Sequence, residues 1–132
     1  MMIILSVICI SYLSGTTGSG ITWPQDSISK TFTICSLTRY ASATANTKRI
    51  LTSTTYNNLN LLHGHWNGGN APLAGVAFYG NEWLTSQTNT NVTPVNNWVN
   101  MCGTNSASVS FPNNILANKT PVGIKNGVAL TT

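Results

Sequence analysis

Acidic side chains are almost missing from this sequence: of 132 residues, only Asp26 and Glu82 are carboxylic acids. Chemistry that draws on clustered carboxylates goes with them. Glycoside hydrolysis by an acid pair, oxygen cages for Mg²⁺ or Ca²⁺, and Ser-His-Asp triads all need acids brought together. Cations are few as well. Lys30, Arg39, Lys48, Arg49, Lys119 and Lys125 are scattered, with one adjacent pair. That is not the basic stripe of a nucleic-acid binder, so the net charge of +4 reflects missing acids and no nucleic-acid partner is expected. The surface is left to Asn, Thr, Ser and Gly, a composition suited to neutral polar partners.

Cysteine is scarce too, at three residues, Cys9, Cys35 and Cys102, with no CxxC pair and no Cys/His ligand spacing. A zinc site is therefore not expected. Two readings stand for Cys35 and Cys102, each inside an apolar strand-like run. They pack as buried free thiols, small hydrophobes in effect, or they form a Cys35–Cys102 disulfide, which needs an oxidising compartment.

Long apolar runs are limited to residues 1–13, which carry no charge. A bilayer span needs about 20 apolar residues, so this stretch alone does not cross, and a membrane enters only if it belongs to an anchor. It reads either as a signal-peptide core or as a buried first strand. Small residues Ser14, Gly15, Gly18 and Gly20 follow it, as near a cleavage point, but no Lys or Arg precedes it. The β-branched Ile3, Ile4, Val7, Ile8 and Ile10 favour the strand. Residues 14–132 are the length of one domain.

Helical periodicity is the last absence. No window sustains apolar residues at i, i+3 and i+4, and 11 Gly and 5 Pro punctuate the chain. Short β-rich runs separated by turn residues predict an all-β, antiparallel two-sheet sandwich. Residues 31–40, "TFTICSLTRY", alternate with Phe32, Ile34, Ser36, Thr38 and Tyr40 on one face and Thr33, Cys35, Leu37 and Arg39 on the other. The middle is apolar on both faces, as for a central strand covered on both sides, with Arg39 and Tyr40 emerging at its end. Further strands are expected at 49–52, 59–66, 74–79, 82–85, 97–103, 115–117 and 122–130. In 97–103, Trp98, Asn100 and Cys102 face one way and Val99 and Met101 the other. Residues 86–97 read as an exposed polar loop.

The candidate site residues lie around two turns rich in Asn and Gly, at 67–70 and 80–81. Trp66, Asn67, Tyr79 and Trp83 offer aromatic rings beside amides, the chemistry of sugar recognition: a ring stacks on the apolar face of a sugar and amides bond its hydroxyls. Core packing is the competing role for the tryptophans. His63 and His65, two apart on a strand, project from one face. They serve as cross-sheet hydrogen-bonding groups, as part of a binding face, or as two of the three or four ligands a metal would need. No cofactor is implied. Asn91-Val92-Thr93 and Asn118-Lys119-Thr120 are glycosylation sequons. No G-x-S-x-G elbow is present, so nucleophilic catalysis is not expected.

The ordered segments "FTICSLTRY" (32–40), "LHGHW" (62–66), "AGVAFYG" (74–80) and "WVNMCGTN" (98–105), with "YLSG" (12–15) and "NNIL" (113–116), resemble the concanavalin A-like, laminin-G-like jelly-roll domains of marine algal and plankton proteins. The resemblance covers residues 12–130. It implies a jelly roll that is longer than this chain, with further strands before Tyr12 and after Leu130, so that either the chain is a fragment incomplete at both ends or residues 1–9 replace the missing first strand. It also implies a non-catalytic module of a secreted or cell-surface protein, binding carbohydrate or an extracellular protein. A structural sandwich without a small ligand is the alternative. A glucanase-like enzyme is disfavoured, because the E-x-D-x-E string of such enzymes is missing here.

Overall fold

A computed structural model describes residues 11–16, 18–29, 31–43, 47–53, 60–67, 71–105 and 115–124. Among them every regular element is a strand: β1 (Thr33–Thr38), β2 (Leu51–Thr52), β3 (Leu61–Asn67), β4 (Pro72–Tyr79), β5 (Glu82–Trp83), β6 (Val99–Thr104), β7 (Ile115–Ala117) and β8 (Thr120–Pro121). They form two antiparallel four-stranded sheets, ordered β1-β6-β7-β8 and β2-β3-β4-β5. The described strands begin in the first sheet, cross to build the second as a meander, and return so that β6 lies beside β1.

Period-two alternation explains which side chains meet between the sheets. On β6, Val99, Met101 and Gly103 are buried while Asn100 is exposed. They face Leu61, Ala74, Ala77 and Tyr79 of the second sheet, and Ile115 and Ala117 of β7 complete this core. Each of the larger aliphatic side chains so buried contributes about 1.5–3 kcal/mol.

The alternation predicted for residues 31–40 is observed, but its setting differs. Among the described strands β1 pairs with β6 alone, and Leu37 on its outer face is 49% exposed. Among the described residues it is an edge strand open on one face, where the sequence pattern predicts a central strand. Tyr40, expected to emerge, is buried and donates its hydroxyl to the Lys48 carbonyl at 2.8 Å. The 86–97 loop is also not wholly outside. Val92 joins the core, and the Asn91 side-chain amide donates to the Gly75 carbonyl at 2.8 Å.

Gly75 explains that docking. Gly64 pairs with Val76 but His65 pairs with Ala74, which leaves Gly75 as the extra residue of a β-bulge. Its φ of +74° suits glycine, and a Cβ there would press on Val92, Asn91 and Ala117 at 3.0–3.2 Å. The bulge also reverses the facing of the residues before it: Ala74 comes inside, while Leu73 goes outside to meet Trp66.

The expected strand at 122–130 is not seen over its described part, 122–124, and residues 125–130 lie outside the described set. So do residues 1–10, and with them Cys9 and most of the apolar N-terminal run. Among the described residues no helix is long and apolar enough to cross a membrane.

Candidate functional site

The two faces of the second sheet divide the candidate residues. Leu62, Trp66, Leu73, Val76, Phe78 and Trp83 occupy its outer face. Trp66, Phe78 and Trp83 are each half-buried and pack over the fully covered Leu62 and Val76. The rings of Trp66 and Trp83 stand 4.8 Å apart at 60°, and Phe78 meets Trp83 edge-on at 5.4 Å. Antiparallel pairing causes this. Trp66 lies opposite Leu73 across β3–β4, and Trp83 opposite Phe78 across β4–β5.

Asn67 sits at the end of β3, half-buried, and its amide donates to the Thr47 hydroxyl at 3.2 Å. Asn81 is exposed in the β4–β5 turn, at the other end of β4 from Asn67. The structure thus brings Trp66 and Trp83 to one side of the sheet, while Asn67, the strand neighbour of Trp66, faces the other way by alternation. Phe78 belongs with the two tryptophans, although the sequence reading does not select it. Its parity could have found it: Phe78 and Tyr79 are neighbours on a strand, so only one of them faces out.

His63, His65 and Tyr79 point the other way. Both imidazoles are fully buried between the sheets and Tyr79 nearly so, which removes all three from any direct contact with a surface ligand. Nε2 of His63 lies 3.2 Å from the Met101 carbonyl oxygen on the opposite sheet. A carbonyl only accepts, so Nε2 carries the proton. Nδ1 then accepts from the Tyr79 hydroxyl, 2.7 Å away. Nδ1 of His65 is 3.2 Å from the Thr38 hydroxyl of β1. Its Nε2 is buried without a hydrogen-bond partner among the described residues, as is the hydroxyl of Ser36, two residues before Thr38.

Electrostatics follow from that burial. Loss of hydration pulls the His63 imidazole down to about 4, against the raising effect of its bond to the Met101 carbonyl. His65 is likewise lowered to about 4, by burial first and by neighbouring His63 second. The Tyr79 phenol is pushed up by burial. Tyr40 rises to about 12 for the same reason, opposed by a hydrogen bond with Thr47. All four groups are therefore neutral at pH 7. Among the described residues no group of three or more His, Cys, Asp or Glu side chains is placed to hold a metal ion.

Cys35 and Cys102 are bonded to each other. They are register partners on β1 and β6 with Cα atoms 4.1 Å apart, on the outer face of the first sheet, where Cys35 is exposed. The buried-thiol reading does not hold for this pair. On the same face Trp98 carries the Arg39 guanidinium 5.0 Å from its ring centroid and the Tyr12 ring edge-on at 5.9 Å.

The two sequon asparagines are both engaged with backbone. Asn91 bonds Gly75, as above. The Asn118 amide nitrogen donates to the Trp98 carbonyl at 3.2 Å, and its oxygen accepts from the Asn100 N–H at 2.8 Å.

No protein-family model, curated protein or solved structure matches this chain. The class that fold and site define is thus an antiparallel, two-sheet β-sandwich with an aromatic cluster outside one sheet and a buried histidine pair beneath it.

Proposed function

We propose that this chain is a non-catalytic carbohydrate-binding module of a secreted or cell-surface protein, and that the sugar stacks on Trp66, Phe78 and Trp83. The observation that carries this reading is the half-buried aromatic cluster on the outer face of β3–β5. Indole and phenyl faces held over an apolar base keep part of their surface in water, where the C–H face of a sugar can replace solvent. The Cys35–Cys102 bridge supports an oxidising compartment. The laminin-G-like order of segments supports the same class and would add jelly-roll connectivity, but fold likeness alone does not fix a ligand.

One observation favours a second reading, an interaction sandwich without a small ligand. Tyr12, Leu13, Ile21, Trp23 and Ile28, all in the stretch before β1, are exposed, as apolar residues are where a protein partner covers them.

A glycan array with the purified chain separates the two. Binding is expected to a neutral glycan and to weaken by about tenfold or more in Trp66→Ala and Trp83→Ala. Failure to bind any neutral or sulfated glycan overturns the first reading. Concentration-dependent assembly without ligand supports the second, and release of reducing sugar from β-glucans would bring back an enzyme.

A further inference from the structure

The histidine pair is not used by the aromatic face, yet it costs the interior two titratable rings. Both lie on β3 and both bond across to the opposite sheet, His63 to Met101 on β6 and His65 to Thr38 on β1. These are two of the polar contacts that tie one sheet to the other. We propose that His63 and His65 form an acid-sensitive latch between the sheets, holding them together while both rings are neutral and letting them part when protons bind.

The hydrogen bonds explain why a proton is not tolerated. In its neutral form His63 donates from Nε2 and accepts at Nδ1. A proton on Nδ1 turns that acceptor into a donor, so the Tyr79 hydroxyl must rotate its own hydrogen away into the core. At His65 a second proton makes both nitrogens donors, and among the described residues Nε2 has nothing to donate to. The two rings sit two residues apart on one face, so each proton repels the next.

No countercharge is at hand among the described residues. β4 contributes Tyr79, whose ring lies 6.1 Å from that of His63; the segment after β1 contributes Tyr40, 4.4 Å from His65. Both phenols are neutral. β1 offers the hydroxyls of Ser36 and Thr38, β6 the Met101 carbonyl, and β2 places Leu51 opposite His63. The buried polar residues are His63, His65, Thr85 and Asn105, with no acid among them. Arg39 is exposed, beside Trp98 on the outer face.

In the unfolded chain both imidazoles protonate near their ordinary value of about 6.5, while in the folded chain burial holds them near 4. Stability is therefore full above about pH 6.5, falls as pH drops through this window, and levels off below about 4.

The test is denaturant unfolding of the full chain, followed by tryptophan fluorescence between pH 8 and pH 4. The unfolding constant is expected to rise by up to about tenfold per pH unit for each histidine inside the window. In the double variant His63→Gln/His65→Gln this rise should vanish. Should that variant not fold, imidazole NMR of the wild-type protein decides instead. Both rings should stay neutral in the folded state until about pH 4. A ring that protonates near pH 6.5 with the fold intact overturns the latch, and so does a wild-type unfolding constant that stays flat across the window.

Discussion

Gly103 on β6 lies directly under the hydroxyl of Tyr79 on β4. A Cβ at position 103 would overlap that hydroxyl and stand 2.7 Å from Cδ1 of Ile115. The missing side chain on one sheet is what lets the phenol of the other reach His63. Gly103→Ala should therefore displace Tyr79 and cost about 1–3 kcal/mol through overpacking. Equilibrium urea unfolding at pH 7.5 measures it; an unchanged midpoint would show that the core has slack here.

Tyr79→Phe removes the donor to Nδ1 of His63 while keeping the ring. A buried acceptor left unpaired costs about 1–3 kcal/mol. The pH dependence should change as well. The hydroxyl's hydrogen bond favours the neutral ring, so without it His63 should take up a proton somewhat more readily. Calorimetric melting at pH 7.5 and pH 5 checks both effects.

The bond between Cys35 and Cys102 closes a loop with a sequence separation of 67. On the chain-entropy account, a loop of that size is worth about 4 kcal/mol. Cys35→Ser/Cys102→Ser should lower stability by about 2–5 kcal/mol. A non-reducing peptide map of the native chain should recover the two cysteines in one linked fragment. Recovery as separate thiols would mean that β1 is held to β6 by its ladder alone.

Asn118 opens the β7–β8 turn with a φ of +49° and bonds both Trp98 and Asn100. Asn118→Ala loses both side-chain bonds and places a less suitable residue in the left-handed region. A loss of about 1–2 kcal/mol is expected. Asn118→Gly should recover only the conformational part. Thermal melts of the two variants, compared with wild type, separate the contributions.

How much of this was legible in the sequence depends on range. Alternation in residues 31–40 and 97–103 gave the correct faces of β1 and β6, because side-chain direction on a strand is set locally with a period of two. The turn at 80–81 and the short return strand after it were legible for the same reason. The site was only half legible. Grouping Trp66, Tyr79 and Trp83 by their nearness to turns placed Tyr79 with the tryptophans, whereas register put Tyr79 inside and Phe78 outside. The facing of Leu73 was beyond reach, because it depends on the extra residue that Gly75 inserts into β4.

The near absence of acids, the lack of helical periodicity and the all-β class follow from the sequence by itself, since they are properties of composition and local pattern. Only the tertiary structure decided that β1 is an edge strand among the described residues, that Cys35 meets Cys102, and that both histidines face inward. Those outcomes depend on which strands become neighbours. That choice minimises exposed apolar surface and unpaired polar groups over the whole molecule, and no single segment carries that information.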